Sequence, residues 1–417
     1  MNKFYIQGGI ALEGKVRIQG SKNAALPILA ATLLTEETTL LSNCPKIADV
    51  HGMVSLLRSL GCIVNWGENG IQINPSGFRC GNMPKDAVTS MRSSLCLLGA
   101  LIGKCGKVMM EYPGGCVIGE RPIDLHINAL EKMGVVFAEE KGKLLASSKR
   151  LHGARIELPF PSVGATENII LAAVMAEGDT IVKGAATEPE VVALCEYLRL
   201  CGAQIEGIGT TRLTICGGRR LFGCEYRVPT DRIVAGTYLL ACVGTGGCVF
   251  LEDAPVEQLQ ATIDVVRQMG GICEVTNRGL VVQASGRPKA VPQIQTSGYP
   301  GFPTDLQSQA LAVLTMANGQ CIVEESIFEN RFRVVPELQR MGADIATLDA
   351  RRVLVTGVDK LYGANVEAQE LRGGAALVIA GLMADKETKI TGGKYIYRGY
   401  ENISRDFREL GARIVSV

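Results

Sequence analysis

At 417 residues the chain is longer than one hydrophobic core comfortably fills, so two domains are expected. With 47% apolar and 20% charged residues and a formal net charge of +1, it has no overall field to attract nucleic acid or an anionic membrane; any anionic ligand must meet a local cluster of basic residues. Fourteen cysteines without a CxxC pair, and only three histidines, argue against a zinc site and for reduced thiols used as small core residues.

The first twenty residues, MNKFYIQGGIALEGKVRIQG, contain no apolar signal core, and the apolar stretch LCLLGALIG (95–103) is about half a membrane span. A cytoplasmic protein is expected. Two kinds of helical pattern then alternate. An almost wholly apolar run leading into a strand (ALPILAATLLTEETTLLSN, 25–43) is followed by an amphipathic one that ends in Leu-x-x-Φ-Gly before a β-like run (LRSLGCIVN, 57–65). The pair returns at 94–111 and 130–138, at 168–184 and 198–206, and at 236–253 and 266–274. It closes with 309–326 and 338–346, then 375–393 and 407–415. The terminal glycines, at 61, 134, 202, 270, 342 and 411, recur about every 70 residues. Glycine just past a helix end takes the left-handed conformation at little cost, so each marks a helix-to-strand junction. The apolar helices should be buried and the Leu-x-x-Φ-Gly helices outside. Six such units in two cores suggest two globules of three, each with inner helices wrapped by sheet.

Each apolar helix is preceded by small, polar and charged residues: GSKNAAL (20–26), TSMRSSL (89–95), PSVGATENI (161–169), VPTDRIVAG (228–236), FPTDLQSQA (302–310) and QELRGGAAL (369–377). Ser21, Ser90, Thr230 and Thr304 are candidate N-caps. Capping does not call for Lys22, Arg92, Arg232 or Arg372, since a cation is unfavourable at the positive end of a helix dipole. These cations are suited to an anion held there with the exposed N–H groups, and the expected place is a cleft between the domains. Asp305, a carboxylate among cations, is a candidate base, with a cap or a structural ion pair as the alternative. In PGGCVIGERPIDLH (113–126), Gly114 and Gly115 make a flexible loop around Cys116, and Arg121 and the other cations would favour its thiolate.

GSKNAALPILAA, PGGCVIGERPIDLH, PSVGATENI, FPTDLQ, FENRF with the following VPEL and RMGA, and RGYE (398–401) together resemble the signatures of the enolpyruvyl transferase family, in particular the members acting on UDP-N-acetylglucosamine. The resemblance runs from residue 20 to residue 401. It implies two inside-out α/β barrels, each of three βαβαββ units, with residues 22–229 forming one domain and 1–21 with 230–417 the other. It implies transfer of enolpyruvate from phosphoenolpyruvate to the sugar 3′-hydroxyl with release of phosphate, the first committed step of peptidoglycan synthesis. The route is addition then elimination and needs no metal or organic cofactor. No nucleic acid, membrane or obligate protein partner is expected. By resemblance Cys116 delivers a proton to the methylene carbon, Asp305 removes one from the hydroxyl, and Lys22 joins them among the catalytic residues. Lys22 and Asn23 match the phosphoenolpyruvate pair; Arg121, Pro122, Ile123, Asp124, Leu125, Ser162, Val163 and Gly164 match uridine and diphosphate contacts; Ile327 matches a sugar-nucleotide contact. Arg92, Arg121, Arg331, Arg372 and Arg398 complete a cationic cage suited to phosphate and carboxylate. The same family's cysteine is alkylated by the epoxide fosfomycin, and aspartate replaces it in some members. Glu120 stands where a small residue is common, Phe160 where some relatives carry lysine, and Glu370 where aspartate is common; His126 is either a ligand contact or a helix-end polar residue.

Three alternatives remain at this point. A 3-phosphoshikimate enolpyruvyl transferase would share the barrels, but its glycine–asparagine–alanine–glycine–threonine signature is absent. A cysteine hydrolase pairing Cys116 with His126 lacks an orienting third group. A non-catalytic repeat scaffold would not need the helix-terminal cations.

Overall fold

The six expected junctions fold alike. Gly61, Gly134, Gly202, Gly270, Gly342 and Gly411 all take positive φ, between 85° and 106°. In each, the glycine N–H returns to the carbonyl three residues back and the next N–H to the carbonyl five back, as in Gly61 to Arg58 and Cys62 to Leu57. That pattern satisfies the last carbonyls of the helix and turns the chain into a strand. These features belong to a computed structural model that describes residues 3–80, 92–111 and 123–417.

Residues 3–19 and 230–417 form one compact unit, and the described residues of 20–229 a second. In the first, the helices Arg232–Thr245, Thr304–Leu314 and Leu371–Met383 make the centre, and every residue of the last is buried. Three four-stranded sheets surround them. The segments Lys3–Gln7 and Leu12–Arg17 each supply a strand to a different sheet, pairing with Glu387–Thr391 and Arg413–Ser416 and with Gly247–Glu252 respectively. The second unit repeats the plan around Lys22–Ala31, Leu97–Cys105 and Val163–Ala173. Its sheets number two of four strands and, among the described residues, one of three.

All five four-stranded sheets are built alike, with one parallel pair at an edge and antiparallel pairing elsewhere. In three of them the parallel strand follows the hairpin of the preceding repeat, whereas Leu12–Arg17 comes from the N-terminal segment and Glu225–Arg227 from the last repeat of its unit. The hairpin after the outer helix supplies two strands in four of them; in the fifth, Arg413–Ser416 pairs with Lys3–Gln7 instead. Strand burial alternates with period two, as in Asp179–Lys183, so one face meets the helices and the other is open. The outer helices are amphipathic; Gln260–Gln268 buries only Thr262, Ile263 and Val266. Each unit is thus an α/β barrel turned inside out, with its own core.

The reading of the cysteines as reduced core thiols holds for Cys44, Cys62, Cys195, Cys201, Cys242 and Cys321, which are buried and outside any disulfide, but not for Cys248, which is exposed. It misses Cys80 and Cys105, which form a disulfide across 25 residues. Among the described residues no helix is long and apolar enough to cross a membrane.

Candidate functional site

In the unit containing residues 230–417, Asp305 sits in the first turn of helix Thr304–Leu314. Its Oδ1 accepts from Arg331 Nη2 at 2.5 Å and its Oδ2 from Arg372 Nη2 at 2.6 Å. The guanidinium side chains are 2% and 4% exposed and the carboxylate 25%, so the cations lie behind and the carboxylate faces outward. Arg331 also donates to the Thr304 carbonyl, and its guanidinium stacks 5.5 Å from the Phe328 ring centre. Burial alone would lower the pKa of Arg372. The charges of Asp305, Tyr400 and Asp231 outweigh it and raise that pKa, so the guanidinium stays charged.

The cations stand at helix N-termini because acidic caps offset them. Asp231 accepts from the N–H groups of Ile233 and Val234 at 2.8 and 3.0 Å, ahead of Arg232. Glu370 does the same for Arg372, at 2.7 Å, and for Gly373. This corrects two expectations. The cap before Arg232 is Asp231 rather than Thr230, because a carboxylate can take two N–H groups where a cation follows. Thr304 is not a cap either: Pro303 holds that position, and the Thr304 hydroxyl donates to Glu325 at 2.9 Å. Glu325 is fully buried and also accepts from the N–H groups of Ile327 and Phe328, which fixes the turn that leaves Ile327 40% exposed. Arg232 lies 5.7 Å from the Tyr299 ring centre. Arg398 ends a short 3-10 helix, Gly393–Arg398, and the next residues are held by Gln19, which donates to Gly399 O and accepts from Glu401 N–H. Buried Tyr400 shares a 2.8 Å hydrogen bond with Thr237.

In the unit containing residues 20–229, Ser21 caps helix Lys22–Ala31 as expected. Lys22 Nζ lies 3.7 Å from buried Asp49, and half-buried Asn23 follows it. The backbone of Arg92 begins a 3-10 turn, Arg92–Cys96, that leads into helix Leu97–Cys105. Ser90, Cys116, Glu120, Arg121 and Pro122 fall outside the described residues. Ile123 precedes helix Asp124–Lys132; Asp124 is exposed and Leu125 half-buried. Ser162 caps helix Val163–Ala173, whose first turn holds Val163 and Gly164, and Phe160 stands exposed before it. His126 is buried, its Nδ1 3.0 Å from Asn168 Nδ2. The carboxylates Asp49, Asp231 and Glu325 and the amide of Asn168 were not singled out from sequence. Only Asp231 left a signal, as an acidic residue directly before a helix-terminal arginine.

The constellation provides paired guanidiniums around a carboxylate, together with helix N-termini carrying cations. The family model for EPSP synthase (3-phosphoshikimate 1-carboxyvinyltransferase) matches residues 6–407. The chain belongs to the enolpyruvyl transferases. It is 46% identical to the UDP-N-acetylglucosamine 1-carboxyvinyltransferase of Nitratidesulfovibrio vulgaris (strain DSM 19637 / Miyazaki F) over 99% of both chains. It is 44% identical to UDP-N-acetylglucosamine 1-carboxyvinyltransferase 2 of Caldanaerobacter subterraneus subsp. tengcongensis over the whole of both. Among solved structures, the enolpyruvyl transferase NikO from Streptomyces tendae superposes with a TM-score of 0.88 at 23% identity, covering 99% of this chain and 98% of that one. EPSP synthase from Acinetobacter baumannii gives 0.76 at 21% identity, covering 100% and 99%. The two likenesses carry the enolpyruvyl transferase fold, two inside-out barrels.

Proposed function

We propose that this enolpyruvyl transferase moves enolpyruvate from phosphoenolpyruvate to the 3′-hydroxyl of UDP-N-acetylglucosamine and releases phosphate, the first committed step of peptidoglycan synthesis. The full-length identity to transferases named for that acceptor supports this substrate over 3-phosphoshikimate. In the addition step the hydroxyl oxygen bonds to C2 of phosphoenolpyruvate, its proton leaves to a base, and a proton joins the C3 methylene. Elimination returns a proton from C3 and breaks the C2–O bond to phosphate.

The observation that carries the chemistry is Asp305 between Arg331 and Arg372. Two guanidiniums hydrogen-bond the carboxylate. A substrate carboxylate or phosphate that pairs with either arginine loosens that hold when the hydroxyl proton must be accepted. Cys116 supplies the proton to C3, and Lys22 with Asn23 holds phosphoenolpyruvate. Arg121, Pro122, Ile123, Asp124, Leu125, Ser162, Val163, Gly164 and Ile327 contact the sugar nucleotide, and Arg92 and Arg398 add to the cations. Both substrates are products of cytoplasmic metabolism, which supports that compartment.

The test is phosphate release with phosphoenolpyruvate and UDP-N-acetylglucosamine, and mass spectrometry of the enolpyruvyl product. Release only with 3-phosphoshikimate as acceptor would overturn the reading. Cys116→Ser should nearly abolish turnover, while Cys116→Asp should stay active and escape alkylation by fosfomycin. A fully active Cys116→Ser enzyme removes the cysteine from the mechanism.

A further inference from the structure

Asn168 lies in the second turn of helix Val163–Ala173 and is 1% exposed. Its side-chain oxygen accepts the Gly99 N–H at 2.6 Å, which fixes the orientation of the amide, since the opposite one would set two donors against each other. The nitrogen then faces acceptors alone: Leu95 O at 3.1 Å, His126 Nδ1 at 3.0 Å and Gly164 O at 3.3 Å. Two amide hydrogens are shared among these three atoms.

The acceptors belong to three separate stretches. Leu95 is in the turn that starts at Arg92, His126 directly follows residues 121–125, and Gly164 ends the Ser162–Gly164 stretch. One buried amide therefore ties the two stretches of this unit assigned above to the sugar nucleotide to each other and to the turn that starts at Arg92. It also selects a tautomer. Facing a donor, Nδ1 of His126 must offer its lone pair, so the neutral ring carries its proton on Nε2. That edge packs on Gly164, where an added Cβ would stand 3.2 Å from Cε1 and 3.5 Å from Nε2. A side chain at 164 would press against the ring, which would have to give by a few tenths of an ångström.

We propose that Asn168 is the positioning residue of the sugar-nucleotide half of the site, setting the mutual register of the three stretches and holding His126 as the Nε2–H tautomer. The proposal rests on the reading of residues 121–125 and 162–164 as sugar-nucleotide contacts. An apolar or acidic residue at 168 loses the donor. Asn168→Asp retains the acceptor for Gly99 N–H but sets a carboxylate oxygen against two carbonyls and a ring lone pair. A proton moved onto His126 Nδ1 relieves the clash with the ring.

Two measurements test it on the full-length enzyme. With only three histidines in the chain, nitrogen NMR resolves each imidazole, and loss of one signal in His126→Gln assigns it. The wild type should show His126 Nδ1 unprotonated and Asn168→Asp should show it protonated. In calorimetry Asn168→Asp should bind UDP-N-acetylglucosamine at least about tenfold more weakly while KM for phosphoenolpyruvate moves less than about twofold; Asn168→Thr, which keeps one donor, should fall between. A general loss of packing would move both substrates together. A protonated Nδ1 in the wild type, or unchanged nucleotide affinity in both variants, overturns the proposal. Absence of nucleotide binding by the wild type instead overturns the substrate reading, and the NMR result still judges the Asn168–His126 bond.

Discussion

Asp305 is held by two nearly buried arginines and cannot be removed without leaving two positive charges facing each other. On the proposed role as proton acceptor, Asp305→Ala should lower turnover by about 10²-fold or more while UDP-N-acetylglucosamine affinity changes only a few-fold. Phosphate release and calorimetry separate the two quantities; retained turnover with collapsed binding would make Asp305 a binding contact alone. Arg372→Lys should also be severe, because an ammonium cannot reproduce the fork that reaches Asp305 from a buried site. Lys22 and Arg372 were legible in the sequence because a cation at a helix N-terminus is out of place. The pairings were not. Asp49 lies 27 residues from Lys22 with nothing local to distinguish it from a solvated carboxylate, and Asp305, though marked out among cations, lies 67 residues from the Arg372 that it pairs with.

At the scale of elements, six all-apolar helices and six glycine-terminated amphipathic ones specify inner and outer positions directly, since burial follows the width of the apolar face. Cap chemistry was less legible. Serine and threonine are generic caps, whereas here the choice of Asp231 and Glu370 follows from the arginine that comes next. Glu370→Ala should destabilise the unit by about 1 kcal/mol in urea unfolding, and Glu370→Asp, a stronger cap, should retain both stability and activity. Equal loss in the two variants would point to a role other than capping. The disulfide was illegible for another reason: Cys80 follows a strand hairpin and Cys105 ends a helix, and only the packed fold makes them neighbours. Closing a 25-residue loop restricts the unfolded chain by about 3 kcal/mol in the chain-entropy account. Alkylation in denaturant without reductant should spare Cys80 and Cys105 among the fourteen cysteines, and reduction should lower the melting temperature. Labelling of both without reductant would exclude the bond.

For the molecule as a whole, a buried carboxyl beside Asn168 contributes more to pH-dependent stability than an exposed surface ion pair does. Arg150–Glu177 and its like are exposed and worth little. Glu167, next to Asn168 in an otherwise apolar helix, is buried, and its carboxyl pKa is pushed from 4.5 up to about 8, first by loss of hydration and then by the charge of Glu190. The Cys96 thiol donates to it at 3.7 Å and opposes part of that shift. Near pH 7 the folded protein therefore keeps a proton that the unfolded chain gives up above pH 4.5. Folded binds more protons than unfolded across that window, so stability must fall as pH rises from about 4.5 to about 8 and level off beyond. Glutamine has the same shape without the ionisation. Glu167→Gln should accordingly leave the melting temperature nearly unchanged at pH 4.5 and raise it by roughly 5 °C at pH 8.5, read by scanning calorimetry across the range. A constant offset between the two proteins at every pH would mean that Glu167 titrates normally and that the penalty for its burial is met by partners in its charged form.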